Sequence, residues 1–374
     1  MIIFLLIFLC LYGGINAYFF LKAKEFFHFP GKTELIIIAL LIAFVLAPII
    51  VRLAERIHWE TLARIIAYCG YLWMAFVFLF FFVHLTLDIA RYAFKLLDQN
   101  ADSALVKNVL FSLAVFITLA AVVYGFFDAR KIRVQKLEIQ TEKMLPGNRK
   151  IRIVQISDVH IGLIIRGQRL QTILEKVKEA KPDILVSTGD LLDGELNNVM
   201  AEAQQLAEIK PPCGKYAVTG NHEFYAGIEK SLEFTKQAGF EILRNETQKA
   251  AGINIIGLDD PTGRKQEFSG KNVDISSLFP KQNSNEFILL LKHQPTIREE
   301  KQFDLQLSGH THGGQIFPFM FLTRLFFPEN FGYHRLHGDK SVYISKGAGT
   351  WGPPIRLFAS PEITVIDVIN KISK

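Results

Sequence analysis

Four apolar runs, residues 2–21, 35–51, 65–87 and 109–127, contain no Lys, Arg, Asp or Glu and fill the first third of this 374-residue chain. No other feature limits the fold so strongly. In hydrocarbon every backbone N–H and C=O must be satisfied within the protein, which leaves helices and closed barrels as the spanning forms. A helix needs about 20 residues to cross the hydrocarbon core, with a range of about 17–25. The runs fit that length, and the second, the shortest, carries Pro48. The first run lacks the basic flank and small-residue cleavage site of a secretory signal, and further runs follow it, so it reads as an anchor. Residues 1–128 are expected to form a membrane domain with about four transmembrane helices, making the chain a multi-pass protein of the cell membrane.

An even number of spans puts both ends on one side. Lys22, Lys24, Lys32, Arg91, Lys95 and Lys107 fall on one side of such an arrangement. Arg52, Arg56, Arg64, Arg130, Lys131, Arg133 and Lys136 fall on the other, so the positive-inside rule does not choose a side. The runs carry no acidic or basic residue that would mark an ion or proton path. His84, near the end of the third, is placed at the interface.

Residues 129–374 have a soluble composition and form the second expected domain. Their net charge of +5, from 33 Lys and Arg against 28 Asp and Glu, suits an anionic membrane surface or an anionic substrate, and nucleic acid is not among the expected partners. Cys10, Cys69 and Cys213 make neither a disulfide framework nor a thiolate metal site. A β-branched run at 151–156 is followed by a helical pattern at 168–179, a strand at 184–187, a helix, a strand at 216–219 and a helix at 228–237. Such alternation predicts an α/β fold with a largely parallel, buried sheet. Later strands at 253–258, 287–291, 305–307, 342–345 and 363–368, with little helix between them, predict a second sheet packed on the first.

The predicted strands end in polar clusters: Asp158-Val159-His160, Gly189-Asp190, Gly220-Asn221-His222-Glu223, Lys292-His293 and Gly309-His310-Thr311-His312-Gly313-Gly314. In open α/β sheets ligands bind outside the carboxyl ends of the strands, so the five clusters are expected to converge. Alternate residues of an extended segment point the same way, so His310 and His312 can face one volume. Singly, each residue has an ordinary alternative: Asp190 as a helix cap, Asn221 as a turn residue, His293 as a core histidine. Five such clusters at strand ends point to a metal site. The donors are nitrogen and oxygen, suited to Mn, Fe, Zn or a similar divalent ion, and numerous enough for two. Paired ions about 3.5–4 Å apart polarise a phosphoryl group, activate water and stabilise the leaving oxygen.

In order and spacing these clusters resemble the five motifs of the calcineurin-like metallophosphoesterases, over roughly residues 150–315. With the membrane runs, the chain is similar to bacterial multi-pass membrane members of that family. The resemblance implies a sandwich of two mixed sheets flanked by helices. It further implies one ion on Asp158, His160, Asp190 and His312, and another on Asp190, Asn221, His293 and His310. His222 corresponds to the catalytic histidine and Asp193 to the aspartate that orients it. Phosphoprotein phosphatases of the family follow that aspartate with arginine; here Gly194 stands instead, which argues against a phosphoprotein substrate.

The function expected is therefore a membrane-anchored, metal-dependent hydrolase of phosphoester or pyrophosphate bonds, with a small-molecule or lipid-linked substrate and membrane lipids as neighbours. The alternative is a non-catalytic membrane scaffold or sensor on the same fold. Two further features lie outside the motifs. His334 and His337 read as a solvated loop. Residues 316–327, with five phenylalanines, read as an irregular aromatic loop beside the metal ligands.

Overall fold

The structure, a computed structural model, describes residues 2–143, 145, 150–195, 198–265, 274–279, 285–297 and 302–371. The chain folds as two compact units: Met1–Asp128 with Gly352–Leu357, and Ala129–Trp351 with Phe358–Lys374.

Among the described residues, the first unit holds four helices long and apolar enough to cross a membrane: α1 (Ile2–Phe27), α2 (Gly31–Arg56), α3 (Glu60–Lys95) and α4 (Ala104–Asp128). Pro48 lies inside α2 without ending it. Small residues let α2 and α3 approach closely, since a Cβ on Gly70 would lie 2.6 Å from the Cβ of Ala47. Phe19, Phe76, Phe80 and Phe111 fill the space between α1, α3 and α4 with edge-on and stacked rings.

The helices outrun the apolar runs, because backbone bonding continues where hydropathy falls. α3 therefore takes in Asp88 and Arg91, both buried. Asp88 accepts from Lys22 Nζ at 2.7 Å and Arg91 Nε at 3.2 Å. His84 is buried among these helices, with Nδ1 2.8 Å from the Tyr18 hydroxyl.

Among the described residues, the second unit is built on two six-stranded sheets. The first sheet uses β1 (Arg133–Thr141), β2 (Ile151–Ile156), β3 (Ile184–Ser187), β4 (Lys215–Ala217), β5 (Glu241–Ile242) and β12 (Glu362–Asn370), in the order β1-β12-β2-β3-β4-β5. The second uses β6 (Glu246–Ala250), β7 (Ile253–Gly257), β8 (Ile288–Leu291), β9 (Leu305–Ser308), β10 (Gly332–Arg335) and β11 (Ser341–Ile344), in the order β10-β11-β9-β8-β7-β6. Each has a parallel centre, β2-β3-β4-β5 and β11-β9-β8-β7, with antiparallel pairs at β12-β2, β10-β11 and β6-β7.

Period-two alternation sorts each central strand between two cores. Ile153, Ile184 and Val186 of the first sheet meet Ile255, Leu289, Leu291 and Leu307 of the second. The intervening Val154, Ile156 and Leu185 face Leu170, Ile173 and Val177 of α5 (Gln168–Ala180), Leu206 of α6 (Met200–Ala207) and Phe234 of α8 (Ile228–Gln237). On the outer face of the second sheet, Ile288 and Leu290 pack with Phe303. This is the expected sandwich of two mixed sheets with flanking helices.

Residues 316–327 differ from their expectation. Phe319–Phe326 forms a helix, α10, after a short α9 (Pro261–Lys265) earlier in the chain. Pro318 stands at the N-cap of α10, outside its hydrogen-bond ladder, where its missing N–H costs nothing. His334 belongs to strand β10 and meets the Phe331 carbonyl through Nε2 at 2.9 Å.

Candidate metal centre

The loops that leave β2 and β3 run side by side. Asp158 N–H donates to the Gly189 carbonyl, His160 N–H to Asp190 and Ile161 N–H to Leu191, at 2.9–3.1 Å. A short helix, α7 (Asn221–Ala226), begins just beyond β4 with Asn221, His222 and Glu223 in its first turn. His293 follows β8, and Gly309 N–H donates to its carbonyl at 2.9 Å. His310 follows β9 and donates its own N–H to Asp158 Oδ1 at 2.9 Å. Strand ends thus bring all nine sequence-predicted site residues into one region.

Two clusters of donor atoms result. Ligand atoms of Asp158, His160 and His312 lie within 4.8 Å of one another, as do those of Asp190, His293 and His310. His160 Nε2 is 3.0 Å from His312 Nε2, which is 3.6 Å from Asp158 Oδ1. In the second cluster His293 Nε2 is 3.1 Å from His310 Nδ1 and 3.2 Å from Asn221 Oδ1. Asp190 Oδ2 lies between the clusters, 3.1 Å from His293 Nε2 and 3.9 Å from His160 Nε2.

These spacings fit metal coordination. Ligands about 2.0–2.1 Å from an ion are about 3–3.5 Å from each other. Imidazole nitrogens facing each other at that distance also need a cation or a shared proton between them. His293 Nδ1 lies 2.8 Å from the Thr188 carbonyl; donating there fixes the tautomer and frees Nε2 as a ligand. The mixed nitrogen and oxygen donors suit a divalent transition ion.

A third cluster joins His160, Asp193 and His222. His222 Nδ1 is 3.0 Å from Asp193 Oδ1, and its ring meets His160 edge-on at 4.6 Å. Two exposed rings, Tyr225 and Trp351, flank His222 at 5.5 and 5.9 Å.

Burial and charge oppose each other throughout the site. Burial resists the charge on His222, but Asp190 and Asp193 outweigh it and raise its pKa to about 9. Burial also resists ionisation of Asp190, yet His293 and His222 hold its carboxyl well below the usual range. His293 is raised well above an ordinary histidine by Asp190, against its burial. Where burial dominates the shifts reverse: Asp158 rises to about 6, His160 falls to about 4 and His310 to about 3.

The backbone is strained at the same positions. Asp158, His160, Asp190, His310 and His312 all have φ between 50° and 76°, a region that L-residues seldom occupy. Such strain gathers at functional sites, where the surrounding fold imposes it. Gly309 shows how tightly the loops approach: a Cβ there would lie 2.0 Å from Ser157 Oγ and 2.2 Å from Asp158 Oδ2.

Two contributors escape a reading by motif chemistry. Glu223, buried, accepts the backbone N–H groups of Gly220, Asp190 and Leu191 at 2.7, 3.0 and 2.8 Å, tying the β3 and β4 loops together. Gln155 on β2 reaches the Thr188 hydroxyl and the Ser308 carbonyl at 2.8 and 2.9 Å, linking the two sheets beneath the site. Glu223 carries a sequence signal as a carboxylate in the first turn of a helix after Gly220. Gln155 carries none.

Residues 151–314 match the model of the calcineurin-like phosphoesterase family. An uncharacterised metallophosphoesterase of Aquifex aeolicus (strain VF5) is 39% identical over 261 residues, 69% of this chain and 99% of that protein. One from Helicobacter pylori (strain J99 / ATCC 700824) is 34% identical over 66% of this chain and 67% of its own length. A transmembrane protein with metallophosphoesterase domain from Danio rerio is 34% identical over 68% of this chain, which spans 61% of that relative.

Proposed function

The chain belongs to the calcineurin-like phosphoesterases, and on that premise we propose a membrane-anchored hydrolase that cleaves phosphoester or pyrophosphate bonds with two divalent cations. Residues 1–128 form its multi-pass anchor in the cell membrane and residues 129–374 its hydrolase domain. Asp158, His160, Asp190 and His312 hold one ion; Asp190, Asn221, His293 and His310 hold the other. Mn, Fe, Zn or a similar ion fits the donors. The observation that carries this reading is Asp190, whose Oδ2 lies between His293 and His160 and can serve both positions.

When bound, paired ions polarise the phosphoryl group, activate water and stabilise the leaving oxygen. The side chains supply orientation and a proton. Asp193 accepts the Nδ1 proton of His222, leaving Nε2 to protonate the departing oxygen. The Asp193 carboxylate beside His222 favours the protonated imidazole, as a general acid requires. Tyr225 and Trp351 wall this side, where the leaving group departs.

The substrate is a small-molecule or lipid-linked phosphoester. The test is hydrolysis by full-length detergent-solubilised protein, loaded with Mn²⁺, of a phosphodiester, a phosphomonoester and a lipid pyrophosphate. Turnover of at least one, abolished by chelation, is expected. Stoichiometric metal without turnover of any would favour the scaffold or sensor.

A further inference from the structure

α10 is an unusual surface helix. Its inward positions, three and seven residues apart, fix it beside the metal centre. Met320 packs on Gly314, where a Cβ would lie 2.3 Å from Met320 Cα. The Thr323 hydroxyl accepts from Asn330 Nδ2 at 3.1 Å. Just beyond the helix, the Phe327 ring meets His310 edge-on at 5.2 Å. The other residues of α10 are exposed, and all but Arg324 are large and apolar. Leu325 and Phe326 are 77% and 74% exposed. Phe317 extends the patch, meeting Phe321 on one side and Phe358 on the other at 5.7 Å, and Phe358 is itself 75% exposed. A patch of this kind marks a binding or membrane surface.

The rest of the chain points to its occupant. Four membrane-length helices accompany the patch on the same polypeptide, and only four residues separate the end of α4 from the start of β1. Phe358 directly follows Gly352–Leu357, the segment that folds with those helices, in which Arg356 N–H donates to the Gly125 carbonyl of α4 at 2.9 Å. The patch is therefore covalently continuous with the membrane unit, and a bilayer is present at high effective concentration. Phenylalanine and leucine with a single cation match a monolayer of anionic phospholipid.

We propose that α10 is a bilayer-contact helix, inserting Leu325 and Phe326 among the acyl chains while Arg324 meets anionic headgroups. The contact does not depend on the reaction catalysed. It gives the protein a second hold on lipid, beside the metal centre rather than among the spans.

The test uses the full chain with Cys10→Ser, Cys69→Ser and Cys213→Ala, a single environment-sensitive nitrobenzoxadiazole label at Leu325→Cys, and phosphatidylcholine–phosphatidylglycerol vesicles. A shift of emission to shorter wavelength is expected, with quenching by lipids that carry a nitroxide high on the acyl chain. The same label at Asp339→Cys, a polar exposed position, should stay unquenched. Phe321→Cys gives a second reading should Leu325→Cys fail to fold. Unquenched emission from α10, or equal quenching at position 339, overturns the proposal. Blue-shifted emission that lipid nitroxides do not quench also overturns it, because a second copy or another protein would then cover α10.

Discussion

His222 Nδ1 and Asp193 Oδ1 lie 3.0 Å apart, so the proposed proton donor meets the carboxylate proposed to orient it. His222→Gln should lower kcat by about 10²–10⁴-fold on an alkyl phosphoester, the usual worth of general acid catalysis. Nitrophenyl esters, whose leaving group needs no proton, should lose far less. Asp193→Asn removes one of the charges that raise His222. Since activity then fails once His222 deprotonates, the alkaline limb of the pH profile should move to lower pH. An unmoved limb, or equal losses across leaving groups, would reduce His222 to a binding residue.

Asp190→Ala should abolish hydrolysis and empty at least one metal position, because a single carboxylate lies between both clusters. Elemental analysis of the purified variant measures this. Two ions per chain with full activity would remove Asp190 from the site.

Glu223→Ala should destabilise the catalytic unit. The substitution strands the N–H groups of Gly220, Asp190 and Leu191, and an unsatisfied buried donor costs roughly 1–3 kcal/mol. A loss of about 3 kcal/mol or more is expected in urea unfolding followed by a probe in that unit. A loss within experimental scatter of zero would mean that Glu223 does not hold the loops.

Metal loading should release protons. Without metal, His293 is raised well above the ordinary range by Asp190 against its burial, and burial carries Asp158 to about 6. Both must be deprotonated to act as ligands. Below these values protons compete with the ion, so affinity should climb as pH rises above about 6. Calorimetry in buffers of different ionisation enthalpy counts the protons. Binding independent of pH would place the ions on other groups.

The central strands were legible because burial on both faces writes a continuous apolar run. The expected 151–156 and 184–187 coincide with β2 and β3, and 228–237 with α8. β1 was not legible. Its Arg133–Thr141 carries Arg, Lys and Glu on a sheet edge, where one side of the ladder needs no partner. β5 has only two residues and β6 is polar from Glu246 to Lys249, so neither makes an apolar run. α10 was hidden by Pro318, which reads as a helix breaker unless its position at the cap is known. The candidate site could be assembled from sequence because its side chains fall at strand ends, which topology brings together. The work of Glu223 could not, because its partners are backbone N–H groups whose directions exist only after folding.

The place of β12 governs how the protein is made. β12 lies between β1 and β2, with nine parallel pairs to the former and five antiparallel pairs to the latter. During synthesis β1 and β2 emerge early and wait, each with an open edge, until Glu362 and the residues after it arrive. Open edges recruit other strands and invite aggregation. A chain that stops anywhere before Glu362 therefore lacks the strand that joins β1 to β2, however complete its proposed metal-site residues.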